Sequence, residues 1–122
     1  MCVVTFYQLN SEIIMKENKT TFFDRLRFRL APSDLLRVRL AYYMAKFGHR
    51  AQLRKEVNEA GNHVRYFEHP RRVAIVLMDE IGIYNPDVVI TALLHDALED
   101  TDAIDAQMIE MAFGPTVASN VI

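Results

Sequence analysis

The sequence predicts an all-α domain, on two observations. Apolar residues recur at helical spacing through most of the chain, and serine, asparagine, proline and glycine fall where helices would start and stop. With 122 residues and 51% hydrophobic content the chain is sized for one domain with a real core. No internal repeat or low-complexity tract interrupts it.

Residues 1–32 read as a poorly defined N-terminal extension, in which Val3 to Tyr7 suit a short strand, Asn18 to Phe23 a loop, and Pro32 a break. Met15-Lys16 is an alternative start. Residues 33–122 read as the domain proper. Ser33 is an N-cap, Leu36, Leu40, Tyr43, Met44 and Phe47 form one helical face, and Gly48 is the stop. A polar loop with Asn58, Gly61 and Asn62 follows. Pro70 suits the first position of the next helix, with Val73, Ala74, Leu77, Met78 and Ile81 as its core residues and Gly82 as its end. Asn85-Pro86 repeats the cap-and-proline signature for a helix running through His95. Asp102 or Asp105 caps a fourth helix through Phe113 that ends at Gly114-Pro115, and the last seven residues start a further element and stop.

Charge is divided along the chain. All 14 Lys and Arg lie between Lys16 and Arg72, and the remaining 50 residues carry nine acids and no base. Either basic and acidic faces pair within the fold, or the acidic part holds a divalent metal and the basic part a phosphate-rich substrate. Cys2 is the single cysteine, which excludes an internal disulfide and suits a reducing compartment. The apolar start lacks a basic leader, and no run reaches membrane-spanning length, so a soluble cytoplasmic protein is expected, with no membrane or nucleic-acid partner.

The chemistry concentrates in His95-Asp96-Ala97-Leu98-Glu99-Asp100-Thr101. On one continuous helix, at about 100° per residue, His95, Asp96, Glu99 and Asp100 share an arc of roughly 140°. Val88, Val89 and Ala92 lie on the same arc, while Ile90, Leu93, Leu94, Ala97 and Leu98 cover the other side. A helix apolar nearly all round is buried, so its polar end lines a cleft, and clustered acids there call for a cation. A mixed imidazole and carboxylate set suits manganese or iron, and imidazole also suits zinc. A lone histidine just after a helix end, as His49 is, is usually a surface or satisfied residue, but it would supply the second imidazole that such a site lacks. His69, before Pro70, reads as a structural residue at a helix start, and His63 as part of a polar loop.

His49-x-x-Gln52-x-Arg54-Lys55, then Tyr66-Phe67-Glu68-His69-Pro70-x-x-Val73-Ala74, then Leu93-Leu94-His95-Asp96-x-x-Glu99-Asp100-Thr101, with Phe113-Gly114 beyond, resemble in order the HD-domain hydrolases of the RelA/SpoT type, which include the small alarmone hydrolases. The resemblance runs from about Ser33 onward. It implies an HD-domain helical bundle that removes the 3′ pyrophosphate from guanosine tetra- or pentaphosphate with manganese. It also implies His49, His95 and Asp96 as metal ligands and Glu99 and Asp100 as the acidic pair that positions or deprotonates water. Arg54 and Lys55 become candidate substrate contacts, their alternative being a solvated basic loop. A related phosphohydrolase acting on another nucleotide, and a non-catalytic nucleotide- or partner-binding remnant, are the competing readings.

The chain departs from that pattern in three places. A further metal-binding aspartate expected several helices after the HD pair is not reached, and Asp102 and Asp105 are too close to be it. The stretch from Glu56 to Glu68 is longer than usual, and Arg65 stands where many relatives have proline. A bundle incomplete at its C-terminus is therefore expected, with Val88, Val89 and Leu94 left uncovered, apolar surface in the second half and association with another copy.

Overall fold

A computed structural model of the protein describes residues 17–57 and 59–121, the side chains of Arg54, Lys55 and Glu56 excepted. The strand expected at Val3 to Tyr7 lies outside the described residues. Helices dominate: α1 (Lys19–Asp24), α2 (Pro32–Gly48), α3 (Glu68–Asp79), α4 (Pro86–Leu94), α5 (Ala97–Asp100), α6 (Ala106–Phe113) and α7 (Pro115–Val121). A short antiparallel hairpin, β1 (Leu53–Val57) with β2 (His63–Arg65), occupies the stretch expected to be loop. Leu53 pairs with Arg65 and Val57 with His63, with an irregularity between. Positive-φ Gly61 sits in the turn.

Residues 18–23 are a correction. Asn18 caps α1 through a reciprocal box with Thr21, so this segment is helical rather than loop. Phe22 and Leu26 are fully buried, and Phe22, Phe23, Tyr42 and Phe67 form a chain of ring contacts with centroids 4.8–5.2 Å apart. The core therefore crosses the boundary expected at residues 32/33.

Helix α2 forms where expected but starts two residues early, so Ser33, read as its N-cap, lies inside it. Pro32 takes the first helical turn, and the preceding Ala31 offers no side-chain cap. Its buried face is Val38, Ala41, Tyr42 and Ala45, not the face expected from sequence. Leu36, Leu40, Tyr43 and Phe47 are exposed, Leu36 at 65% and Phe47 at 59%. Burial went to a face with two alanines, which lets α2 approach α4 closely.

Helix α3 begins at Glu68, so Pro70 stands in its first turn, where a missing N–H costs no helical hydrogen bond. Ala74 and Met78 are buried as expected, Val73 and Leu77 pack at the edge of the core, and Ile81 is exposed past the helix end. Helix α4 is capped by Asn85, whose side-chain oxygen accepts from the N–H groups of Asp87 at 2.9 Å and Val88 at 3.4 Å. It lies at the centre, against α2, α3 and α7. Val89 and Leu94 are fully buried and Val88 is half-buried, so the expectation that they are uncovered is corrected: α7 packs on α4, while exposed apolar side chains lie along α2 and at Met108 and Met111 of α6. Asp105 caps α6 by accepting from Met108 N–H at 2.8 Å, and Gly114 ends it at φ 93°. Arg37 of α2 ties these parts together, donating to Asp87 at 2.7 Å and to the Phe113 carbonyl at 3.0 Å.

Candidate metal centre

Helices α3 and α4 are joined by a short connection that turns at Gly82, φ 78°, and they pack on each other. The start of α3 therefore lies beside the end of α4. That juxtaposition brings His69, on the first turn of α3, to His95 and Asp96, directly after α4. One nitrogen from each histidine and one Asp96 oxygen all lie within 4.8 Å of one another. His95 Nε2 is 3.2 Å and His69 Nε2 3.6 Å from Asp96 Oδ2.

The helix carrying His95 does not run on unbroken. His95 Nδ1 bonds to the Ala92 carbonyl at 2.7 Å, taking the acceptor that the Asp96 N–H would use in a continuous helix. A turn follows, and α5 restarts at Ala97 with its own bond from Asp100 N–H to the Asp96 carbonyl at 2.9 Å. The break corrects the single-arc picture of His95, Asp96, Glu99 and Asp100.

Hydrogen bonding settles which His95 atom faces the cluster. A carbonyl only accepts, so Nδ1 is the N–H, and in the neutral ring Nε2 presents a lone pair. A carboxylate oxygen lies 3.2 Å from that nitrogen, two acceptors close together. A cation between them resolves the conflict, and an imidazole fixed at its other nitrogen by a carbonyl is the usual form of a metal-ligating histidine. The residues fit a divalent ion.

Tyr66 completes the surroundings. Its hydroxyl donates towards Asp100 at 3.0 Å and Asp96 at 3.2 Å, one proton held between two carboxylates. Burial, followed by the Asp100 and Asp96 carboxylates, pushes its pKa up to about 12, so it stays a donor. Gln52 joins Asp100 from the other side, donating through Nε2 to its backbone carbonyl. Glu99 is exposed on α5.

His49 stands apart from the three converging side chains. It is 1% exposed at the end of α2, with Nδ1 2.9 Å from Gln52 Oε1 and its ring 4.6 Å from that of Tyr66. It is thus a neighbour of the cluster's outer residues, while His69, read from sequence as structural, converges with the HD pair. An antiparallel helix pair was legible from the caps and the short loop after Gly82; following it would have brought residue 69 to residue 95. Arg54 and Lys55 lie in the middle of β1.

A family model for the HD domain matches residues 41–122. The chain belongs to the HD-domain family. Its HD-domain relatives include the guanosine-3′,5′-bis(diphosphate) 3′-pyrophosphohydrolase MESH1 of Drosophila melanogaster, 40% identical over 77 residues, which cover 63% of this chain and 40% of that protein. The bifunctional (p)ppGpp synthase/hydrolase SpoT of Escherichia coli is 35% identical over 92 residues, covering 75% of this chain and 12% of that one. A solved structure of a metazoan ortholog of SpoT that hydrolyzes ppGpp superposes with a TM-score of 0.62 at 34% identity, covering 70% of this HD-domain chain and 45% of that one. The chain thus spans less than half the length of these relatives.

Proposed function

We propose that this HD domain takes part in metal-dependent hydrolysis of the 3′ pyrophosphate of guanosine tetra- or pentaphosphate in the cytoplasm, with His69, His95 and Asp96 as the metal ligands. The convergence of those three side chains within 4.8 Å carries the reading, and the relatives' activities supply the substrate. Manganese suits two imidazoles and a carboxylate. When bound it supplies positive charge against the pyrophosphate and activates water.

The chain's own residues do the rest. Asp100 is held by Tyr66, and Glu99 is exposed beside it. One of these carboxylates takes the proton of the attacking water. The water oxygen bonds to the phosphorus on the 3′ oxygen, the bond from phosphorus to that oxygen breaks, and the oxygen leaves with the proton that the carboxyl group returns. Tetraphosphate then gives GDP and pentaphosphate GTP, each with pyrophosphate. Arg54 and Lys55, adjacent on β1, contribute the positive charge that holds the substrate.

Manganese titration of the purified chain tests the ligand set. His69→Ala and His95→Ala should abolish binding, whereas His49→Ala should retain it. Loss on removing His49, with retention on removing His69, would return His49 to the ligand set and overturn this one. In a chain extended to full family length, Glu99→Gln should keep manganese and lose most turnover. Wild-type turnover would move the proton acceptor to Asp100.

A further inference from the structure

The C-terminal end of α2, Arg65 of β2 and the start of α3 enclose a cavity of about 470 Å³, within the range of small-molecule sites. Neither His69, His95, Asp96 nor Asp100 lines it. Four cations do, Lys46, Arg50, Arg65 and Arg71, against two acids, Glu17 and Glu68. Glu17 is already committed to Arg25 at 2.6 Å and to Thr21, so it leaves the cationic excess standing. Aromatic surface is present beside the charge. Tyr43, Phe47 and Phe67 line the same space; the Arg50 guanidinium lies 4.1 Å from the Phe47 ring centre, and that of Arg71 lies 5.8 Å from the Phe67 ring centre.

His49 also forms part of this wall, and it is the decisive group. It is 1% exposed, and its Nε2 has no hydrogen-bond partner among the described residues. An unsatisfied buried polar atom costs about 1–3 kcal/mol, so a partner is expected. The identity of that partner follows from the neighbouring bonds. Gln52 gives its amide N–H to the Asp100 carbonyl, which can only accept, so the Gln52 oxygen is what faces His49 Nδ1. Nδ1 is then the N–H, and Nε2 of the neutral ring is an acceptor that calls for a donor.

We propose that this cavity is a second ligand site, for a nucleoside phosphate. The phosphate sits among Lys46, Arg50, Arg65 and Arg71, the base lies on the aromatic rings, and a base N–H or ribose hydroxyl donates to His49 Nε2. A bare phosphate lacks the planar surface; an uncharged nucleoside lacks the anion. The site is independent of the metal ligands assigned above.

The test is calorimetric titration of the purified 122-residue chain, in chelator, with GDP, guanosine and inorganic phosphate separately. GDP carries base N–H donors, ribose hydroxyls and phosphates together. It should bind at least about tenfold more tightly than either fragment, and Lys46→Gln combined with Arg65→Gln should weaken it by about tenfold or more, two charge-assisted contacts being lost. His69→Ala should leave GDP binding unchanged, and the His49 Nε2 resonance should move on GDP addition. No GDP binding, phosphate binding equal to GDP, or GDP binding that falls with His69→Ala and ignores the Lys46/Arg65 pair would each overturn the proposal. Because metal is absent throughout, that result is separable from failure of the manganese site.

Discussion

Tyr66 shows how much one hydroxyl can organise. It reaches the carboxylates of Asp96 and Asp100, orienting a proposed ligand and a proposed proton acceptor at once. Tyr66→Phe keeps the ring stacked on His49 and removes only the donor. Manganese affinity should fall by roughly 10–100-fold, the usual effect of losing a partner behind a metal ligand; unchanged affinity in a metal titration would mean that Asp96 is held without it. Glu17 makes a second residue-scale case, at the edge of the core. Burial works to raise its pKa, yet hydrogen bonds from Arg25 and Thr21, with the Arg25 charge, outweigh burial and hold it below its ordinary 4.5. A depressed carboxylate contributes stability that is present above pH 4.5 and is lost as pH falls through the lowered value. Glu17→Gln should therefore flatten acid unfolding in that window, read by circular dichroism against pH. Arg25→Ala should cost about 3 kcal/mol at neutral pH, since it strands a mostly buried carboxylate.

At the scale of elements, the ends of helices position the site. Asn85 satisfies two N–H groups at the start of α4 and so supports the helix that delivers His95. Asn85→Ala should cost about 1 kcal/mol in chemical denaturation. The end of α2 is set by close approach rather than by a special dihedral: a Cβ on Gly48 would lie 2.9 Å from Ile104 Cδ1 and 3.3 Å from Thr101 Oγ1. Ile104 has a mobile tip, but Thr101 Oγ1 is pinned by its 2.6 Å bond to the Ala97 carbonyl. Alanine's better helix propensity, worth about 1 kcal/mol, is thus opposed by overpacking of about 1–3 kcal/mol. Gly48→Ala should be destabilising by about 1 kcal/mol net; a stabilised variant would show that the segment after the HD turn moves freely.

For the whole molecule, the division of apolar surface matters most. Helix α4 is enclosed, whereas α2 presents Leu36, Leu40, Tyr43 and Phe47 outward along one side. Contiguous apolar surface of this kind favours association. Sedimentation should show a mass that rises with protein concentration, and Leu36→Gln with Leu40→Gln should suppress the rise without loss of helicity. A constant monomer mass in the unsubstituted chain would remove association with another copy from the account.

Some of this was legible without a fold. Helical class follows from the spacing of apolar residues, and the start of α4 and the end of α6 from Asn85-Pro86 and Gly114-Pro115, because caps and backbone conformation are local properties of the chain. The HD pair stood out for the same reason, its residues being adjacent in sequence. The helix at Asn18 was missed although its capping box is local, since Asn, Lys and Thr are equally at home in turns. Three other features were decided only by tertiary packing. Which face of α2 is buried depended on what α4 presents to it. His49, rather than His69, looked like the second imidazole, because the caps and short loop that imply an antiparallel helix pair do not by themselves say which side chains converge. The packing of α3 on α4 brings His69 together with His95 and Asp96. His49 Nε2, without a partner among the described residues, had no sequence signature at all, for such an atom is defined by what surrounds it in space.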